Sequence, residues 1–291
     1  MRKDTSFSIT KTIRLQGKLF DFSTPRIMGI LNLTPDSFYD GGRYITEDAI
    51  MARTEQLLEQ GCDIIDAGAF SSRPGAEEVS PEEESARLVR GLAIIRKRFP
   101  GVPVSVDTFR AAVARVAVKQ WDVDMINDIS AGDMDPDMFD TIADLGVPYV
   151  IMHMQGTPKD MQDDPRYDHV VKDILKYFSR KLAQLRERGV KDVIVDPGFG
   201  FGKTMEHNYQ LLKGLEAFRI LDVPLMVGLS RKSMIYKVLN VPPEEALNGT
   251  TVLHTLALLG GADILRVHDP REALETIRLV QIFNRAKLPG R

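Results

Sequence analysis

The apolar positions of the chain fall into short, nearly continuous runs. These are "RIMGILN" (26–32), "CDIIDAG" (62–68), "VPVSVD" (102–107), "DMINDI" (124–129), "VPYVIMH" (147–153), "DVIVD" (192–196), "VPLMVG" (223–228) and "ADILRVH" (262–268). Such runs are the signature of strands buried on both faces of a parallel sheet. Segments with helical spacing lie between most of them. Residues 46–61 open on Thr46 as an N-cap and stop at Gly61. Residues 80–101 open on Ser80, with Pro81 at the first helical position and acids in the first turn. Residues 168–189 are long and amphipathic, and two helical candidates, 231–240 and 243–261, follow the seventh run. Strands and helices in this alternation predict an α/β fold, a (β/α)8 TIM barrel, with a doubly wound open sheet as its rival. Residues 7–22 alternate about Gly17 and predict a β-hairpin that closes the bottom of the barrel. The expected organisation is an N-terminal hairpin extension, 1–25, on one barrel domain, 26–285.

Composition narrows the picture only a little. With 43% hydrophobic and 27% charged residues the chain can build a sizeable core, and its net charge of -3 gives no electrostatic reason to expect a nucleic-acid partner. No apolar run approaches the ~18 residues of a membrane span. The start, "MRKDTSFSIT", has no apolar core of a secretory signal. The single cysteine, Cys62, suits a reducing, cytoplasmic compartment and reads as a small core residue.

The candidate chemistry sits at the strand ends. In chain order these carry Asn32, Asp66, Asp107, Asn127 with Asp128, His153, Asp196, Ser230 with Lys232, and Arg266 with His268. Polar residues terminate strands routinely, so each one alone is unremarkable. A full set is expected to converge on the mouth at the C-terminal end of the barrel. Acids, amides and cations together suit a ligand with a polar heterocycle at one end and phosphates at the other. Arg266 and His268 are two residues apart, hence on one face of their strand, and could share an anion. The stretch "DPGFGFGKT" (196–204) fits neither phosphate-loop template: Gly198 and Gly202 enclose three residues where a P-loop needs four, and the glycines read G-x-G-x-G. Its glycines are expected to let backbone pass closely over the mouth, with Phe201 as an apolar wall. Lys203 is expected to be a solvated or salt-bridged cation near a helix start.

The segments "IMGILNLTPDSFYDGG" (27–42), "SSRPGA" (71–76), "SVDT" (105–108), "IND" (126–128), "DPGFGFGK" (196–203), "SRKS" (230–233) and "RVHD" (266–269), in this order, resemble dihydropteroate synthase. The resemblance implies a pterin-binding barrel that joins 6-hydroxymethyl-7,8-dihydropterin pyrophosphate to p-aminobenzoate, giving dihydropteroate and pyrophosphate in folate synthesis. It implies that Asn32 binds Mg2+ carried on the pyrophosphate and that Arg266 and His268 hold that group. By the same resemblance Asp107, Asn127, Asp196 and Lys232 contact the pterin, with Met152 and Gly228 lining its pocket. Ser72, Arg73 and Pro74 belong to the p-aminobenzoate site, with Phe201 and Ser233 nearby, and Asp40 helps to complete the closed site. A homodimer and sensitivity to sulfonamides are implied as well. The family's usual Gly-Glu-Ser-Thr run is replaced here by Ala69, Phe70, Ser71 and Ser72, so Phe70 stands where the glutamate is expected. Two rivals share the pterin-binding groups: a corrinoid-dependent methyltransferase acting on methyltetrahydrofolate, and a non-enzymatic pterin binder.

Overall fold

A computed structural model of the chain describes residues 11–34, 46–70 and 79–287. Eight parallel strands form one sheet: β3 (Arg26–Asn32), β4 (Ile64–Gly68), β5 (Val104–Asp107), β6 (Met125–Asp128), β7 (Tyr149–Met152), β8 (Val193–Asp196), β9 (Met226–Val227) and β10 (Ile264–Val267). β3 pairs with β4 on one side and β10 on the other, and the order runs on to β8 at one end and β9 at the other. A bridge between Val195 and Leu225 brings those two ends together. The result is the barrel expected from the sequence. Each of the eight apolar runs supplies one strand. Both helical candidates after the seventh run form, as α7 (Ser233–Leu239) and α8 (Leu247–Leu259).

The helices begin and end where local chemistry dictates. In α1 (Glu47–Glu59) the Thr46 side chain accepts from the Ala49 N–H, and in α2 (Pro81–Arg98) Ser80 accepts from Glu83. Each cap satisfies a donor that the first turn leaves without an intrahelical partner. The long segment before β8 forms α5 (Val170–Glu187), whose Val170, Ile174, Phe178 and Leu185 lie on its buried stripe.

Of the hairpin expected over 7–22, residues 7–10 lie outside the described residues. β1 (Thr12–Leu15) and β2 (Lys18–Asp21) are joined at Gln16 and Gly17, which both have positive φ. A two-residue turn of this handedness matches the twist of the flanking strands. Ile13, Leu15 and Phe22 pack on Met28, Ile64, Met125, Val150, Ile194, Met226 and Ile264. These last residues come from seven barrel strands, and together they form the lowest interior layer. The hairpin therefore plugs the bottom of the barrel. Each buried hydrophobic side chain here contributes roughly 1.5–3 kcal/mol by leaving water. Lys11 pairs with Asp263 at 2.8 Å and ties the hairpin to the sheet.

That bottom layer fixes the parity of every strand, because side chains alternate across a sheet. Two residues further along, the inward positions are Ile30, Asp66, Asn127, Met152, Asp196, Gly228 and Arg266, with Ser105 beside Asp66 in register. The outward positions carry the apolar residues that meet the helices. Cys62 belongs to that outer shell: its thiol accepts from the Gly29 N–H and donates to the Ile64 carbonyl, and burial pushes its pKa up to about 12.

Candidate active site

The upper interior layer is one hydrogen-bonded network. Arg266 on β10 donates from Nε to Asp66 Oδ2 and from Nη2 to Asp107 Oδ2, both at 2.7 Å. Asn127 on β6 donates from Nδ2 to the same Asp66 oxygen at 3.0 Å. Asp66 has no exposed surface. The network therefore spans four strands and leaves Asp107 Oδ1 and Asp66 Oδ1 buried without a partner among the described residues. Burial pushes the Asp107 carboxyl up to about 7; Arg266 opposes that shift and Asp66 adds to it. Burial and then the Asp107 and Asp66 charges act in opposite senses on Arg266, and its pKa ends above the ordinary value.

A second cluster lies across the mouth. Asp196, ending β8, accepts the Gly198 N–H at 2.8 Å. Burial raises its pKa, against the pull of Lys232. Lys232, the N-cap of α7, donates to the Phe199 carbonyl and sits 4.8 Å above the Phe201 ring. Burial lowers its pKa to about 8 while Asp196 holds it up. A Cβ added to Gly228 would lie 3.7 Å from Lys232 Nζ and 3.8 Å from Asp196 Oδ2, so a side chain there would project among the site's own groups. Met152 is buried beside this cluster, and its Cγ lies 3.2 Å from where a Cβ on Gly198 would be.

Asp107, Asn127, Met152, Asp196, Gly228, Lys232 and Arg266 are thus brought together, with Phe201 over Lys232 and Ser233 opening α7. Asn32 ends β3, half-buried and paired in register with Gly68 on the mouth side. His268 follows β10; its Nδ1 lies 3.0 Å from Ser230 Oγ, and burial and the neighbouring Arg266 lower its pKa to about 4. In the site without an anion it is therefore a neutral imidazole at neutral pH, able to offer a hydrogen bond. Asp40, Ser72, Arg73 and Pro74 lie outside the described residues. Phe70 is partly exposed and meets Phe109 edge to face, with centroids 5.2 Å apart.

Three expectations, two from the strand ends and one from the glycine loop, are corrected. Asp128 and His153 do not face the mouth. Each is one residue out of phase with its inward neighbour, so its side chain points to the helix shell. Asp128 accepts there from Tyr149 Oη at 2.5 Å and from the Gly132 N–H at 2.8 Å. His153 contacts Lys203. Lys203 in turn is not solvated, and among the described residues it makes no salt bridge. It is 2% exposed, and its Nζ donates to the Gly198 and Phe201 carbonyls at 2.9 Å each and approaches His153 Nδ1 at 3.1 Å. Burial lowers the pKa of both groups. Lys203 is the clamp under the glycine loop. The glycines are needed for close approach, as expected: Gly198 has φ +72°, and a Cβ on it would stand 2.0 Å from the His153 carbonyl oxygen. The residue whose importance the sequence understates is Asp66. It was visible as a strand-end acid, but only the folded network shows that Arg266 and Asn127 both depend on it.

The Asp107 shift predicts an acid limb in ligand binding. Below about 7 its carboxyl takes a proton and loses acceptor capacity; above that it is a carboxylate able to accept ring N–H groups. Calorimetric affinity for 6-hydroxymethylpterin is expected to fall as pH drops through about 7, and Asp107→Asn is expected to bind weakly without that limb. Parallel profiles for the two proteins would show that Asp107 does not read the ligand.

Residues 28–268 match the family described as pterin binding enzyme. The chain is 43% identical to the dihydropteroate synthase of Escherichia coli strain K12 over 94% of its own length and 96% of that protein's. It is 42% identical to the Haemophilus influenzae dihydropteroate synthase over 91% of its length and 96% of that relative's. The Yersinia pestis dihydropteroate synthase, solved in a sulfonamide drug complex, superposes with a TM-score of 0.88 at 40% identity, covering 94% of this chain and 100% of that one. The Xanthomonas albilineans dihydropteroate synthase with 4-aminobenzoic acid also gives a TM-score of 0.88, at 37% identity, over 96% of this chain and 100% of that one. A parallel barrel with this polar inner layer is the architecture of a pterin-binding enzyme, and the chain belongs to the dihydropteroate synthase family of transferases. Among the described residues, no helix is long and apolar enough to cross a membrane.

Proposed function

We infer that the protein condenses 6-hydroxymethyl-7,8-dihydropterin pyrophosphate with p-aminobenzoate, releasing dihydropteroate and pyrophosphate in folate biosynthesis. The observation that carries this reading is the pairing of two acceptor-rich groups, Asp107 with Asn127 and Asp196, with two cations, Lys232 and Arg266, on the inner face of one barrel mouth. A pterin offers ring N–H and amino donors along one edge and acceptors along another. Asp107, Asn127 and Asp196 accept from the first edge, and Lys232 donates to the second. A site so built rejects rings that leave its buried groups unpaired.

The reaction breaks the bond between the pterin's exocyclic CH2 and the pyrophosphate oxygen and forms one to the arylamine nitrogen. The electron-rich ring spreads the positive charge that develops on the CH2, so an SN1-like path suits it. The arylamine is already nucleophilic, and its proton leaves after attack without a strong base. Arg266 and His268 hold the departing pyrophosphate, the first as a cation and the second as a hydrogen-bond donor.

Asn32 is suited to an Mg2+ ion that arrives with the pyrophosphate. Its side-chain amide offers one hard oxygen, and among the described residues no group of three or more His, Cys, Asp or Glu side chains forms a dedicated metal cage. Mg2+ typically keeps waters and substrate phosphates as most of its ligands. When bound, it would neutralise charge on the leaving pyrophosphate.

The Xanthomonas relative was solved with 4-aminobenzoic acid and the Yersinia relative with a sulfonamide, which supports a p-aminobenzoate subsite in this reading; the motif resemblance assigns it to Ser72, Arg73, Pro74, Phe201 and Ser233, with Asp40 completing the closed site. The protein acts as a cytoplasmic homodimer in this reading. Support comes from apolar side chains left exposed on α8 and on α9 (Pro270–Arg285), among them Val252, Leu256, Ile282 and Phe283. Turnover tests the function. Purified protein with both substrates and Mg2+ is expected to form dihydropteroate, to stop on chelation, and to be inhibited by sulfonamides in competition with p-aminobenzoate. Methyl transfer to a corrinoid, or pterin binding without product, would overturn the reading.

A further inference from the structure

We propose that Asp66 is a positioning residue that fixes which edge of the Asn127 amide faces the ligand, and thereby sets the barrel's preference for a ring bearing an amino donor. The proposal rests on the pterin reading above. Asp66 is the third residue of β4 and points into the barrel with no exposed surface. One of its oxygens, Oδ2, takes two donors: Arg266 Nε at 2.7 Å and Asn127 Nδ2 at 3.0 Å.

Oδ2 already accepts from Arg266 and meets its neighbours as an acceptor, so the nitrogen of the Asn127 amide faces it. The reversed amide would set two acceptor oxygens against each other in a buried site, leaving the amide oxygen unpaired and Asp66 Oδ2 with Arg266 alone. The orientation of Asn127 therefore follows from the chemistry of its partner. What remains of the amide is one N–H and, on its other branch, the carbonyl oxygen. That edge matches a ring nitrogen flanked by an amino group: the N–H donates to the ring nitrogen and the oxygen accepts from the amine. It does not match a ring in which an oxo group replaces the amine.

Two further features single out Asp66. Through Arg266 it is linked to Asp107, which is paired in register with Asn127, so the same carboxylate orients both sides of the recognition edge. Its second oxygen, Oδ1, is buried with no partner among the described residues. A half-satisfied acid on the inner face of a barrel is costly. Its neighbour two positions earlier, Ile64, shows what a purely structural inward position on this strand carries.

The test compares calorimetric affinities for 6-hydroxymethylpterin and for 6-hydroxymethyllumazine, whose 2-oxo group replaces the amine, in wild type, Asp66→Ala and Asp66→Asn. Wild type is expected to prefer the pterin. In Asp66→Ala the Asn127 amide can turn over, and the preference should narrow by about tenfold or more. Asp66→Asn keeps an acceptor oxygen for both donors and should hold the preference within about threefold of wild type. An alanine variant that melts cooperatively yet keeps the wild-type ratio overturns the proposal. If the alanine variant does not fold, Asp66→Ser, too short to serve both donors, is judged by the same ratio. Wild-type protein that binds neither ring overturns the pterin reading and this inference with it. A wild type that prefers the pterin, beside an Asp66→Ala variant with the same pterin-to-lumazine ratio, overturns the inference alone.

Discussion

Arg266→Ala is expected to lose both stability and pterin binding. Its guanidinium is the partner of two carboxylates, Asp66 fully buried and Asp107 with 14% of its side chain exposed. Removing one member of a buried ion pair typically costs about 3–5 kcal/mol, because the remaining charge is left unpaired. A loss of that size lowers the melting temperature by something on the order of ten degrees in a domain this large. The sequence alone placed Arg266 at the pyrophosphate end, which would confine the damage to phosphorylated ligands. The network makes the damage wider. Without Arg266, Asp107 is pushed further toward its protonated form, and Asn127 shares Asp66 with nothing. Affinity for the bare pterin should therefore fall together with kcat/KM. A variant with an unchanged melting temperature and normal affinity for the bare ring would return Arg266 to a pure anion-binding role.

Lys232→Ala should act on ligand and leave the fold nearly intact. Lys232 is held by the Phe199 carbonyl and the Phe201 ring, with Asp196 as its neighbouring charge. Burial disfavours its charged form and brings its pKa down to about 8. Its removal relieves that desolvation cost, which offsets what Asp196 loses. A charge-assisted hydrogen bond to the pterin is worth roughly 1.5–3 kcal/mol, so affinity and kcat/KM are expected to fall by about one to two decades. Calorimetry alongside thermal melting separates the outcomes. A large drop in melting temperature with unaltered pterin affinity would make Lys232 a brace for the glycine loop.

Much of this was legible in the chain because each relevant signal is local. The eight apolar runs carry the barrel, and Thr46, Ser80 and Pro81 mark helix starts by their own side chains or ring. The position of the recognition residues at strand ends could also be read. Their facing could not be read residue by residue without a fixed phase. Asn127 and Asp128 are adjacent, and only the layer formed by Met125 beneath them decides that Asn127 enters the barrel and Asp128 leaves it. The same holds for Met152 and His153. Lys203 misled for a different reason. A lysine after a glycine loop is normally solvated, and its burial depends on carbonyls of Gly198 and Phe201, which no side-chain pattern announces. Asp66 was visible as an acid, but its partners lie on strands far away in sequence, 61 residues to Asn127 and 200 to Arg266.

The central claim is that the strand-end acids of this barrel recognise a pterin ring, and Asp196→Asn tests it most directly. Asp196 already takes the Gly198 N–H on one oxygen, leaving the other to accept from the ligand. The amide keeps the shape and can keep the bond to Gly198, but it then presents a donor where the ring also presents one. The measurement is calorimetric affinity for 6-hydroxymethylpterin, paired with melting temperature, in wild type and variant. The expected result is a loss of about one to two decades in affinity, the worth of a charge-assisted bond, at a nearly unchanged melting temperature. Unchanged affinity with a lowered melting temperature would mean that Asp196 serves the loop alone, and the pterin site would have to lie elsewhere.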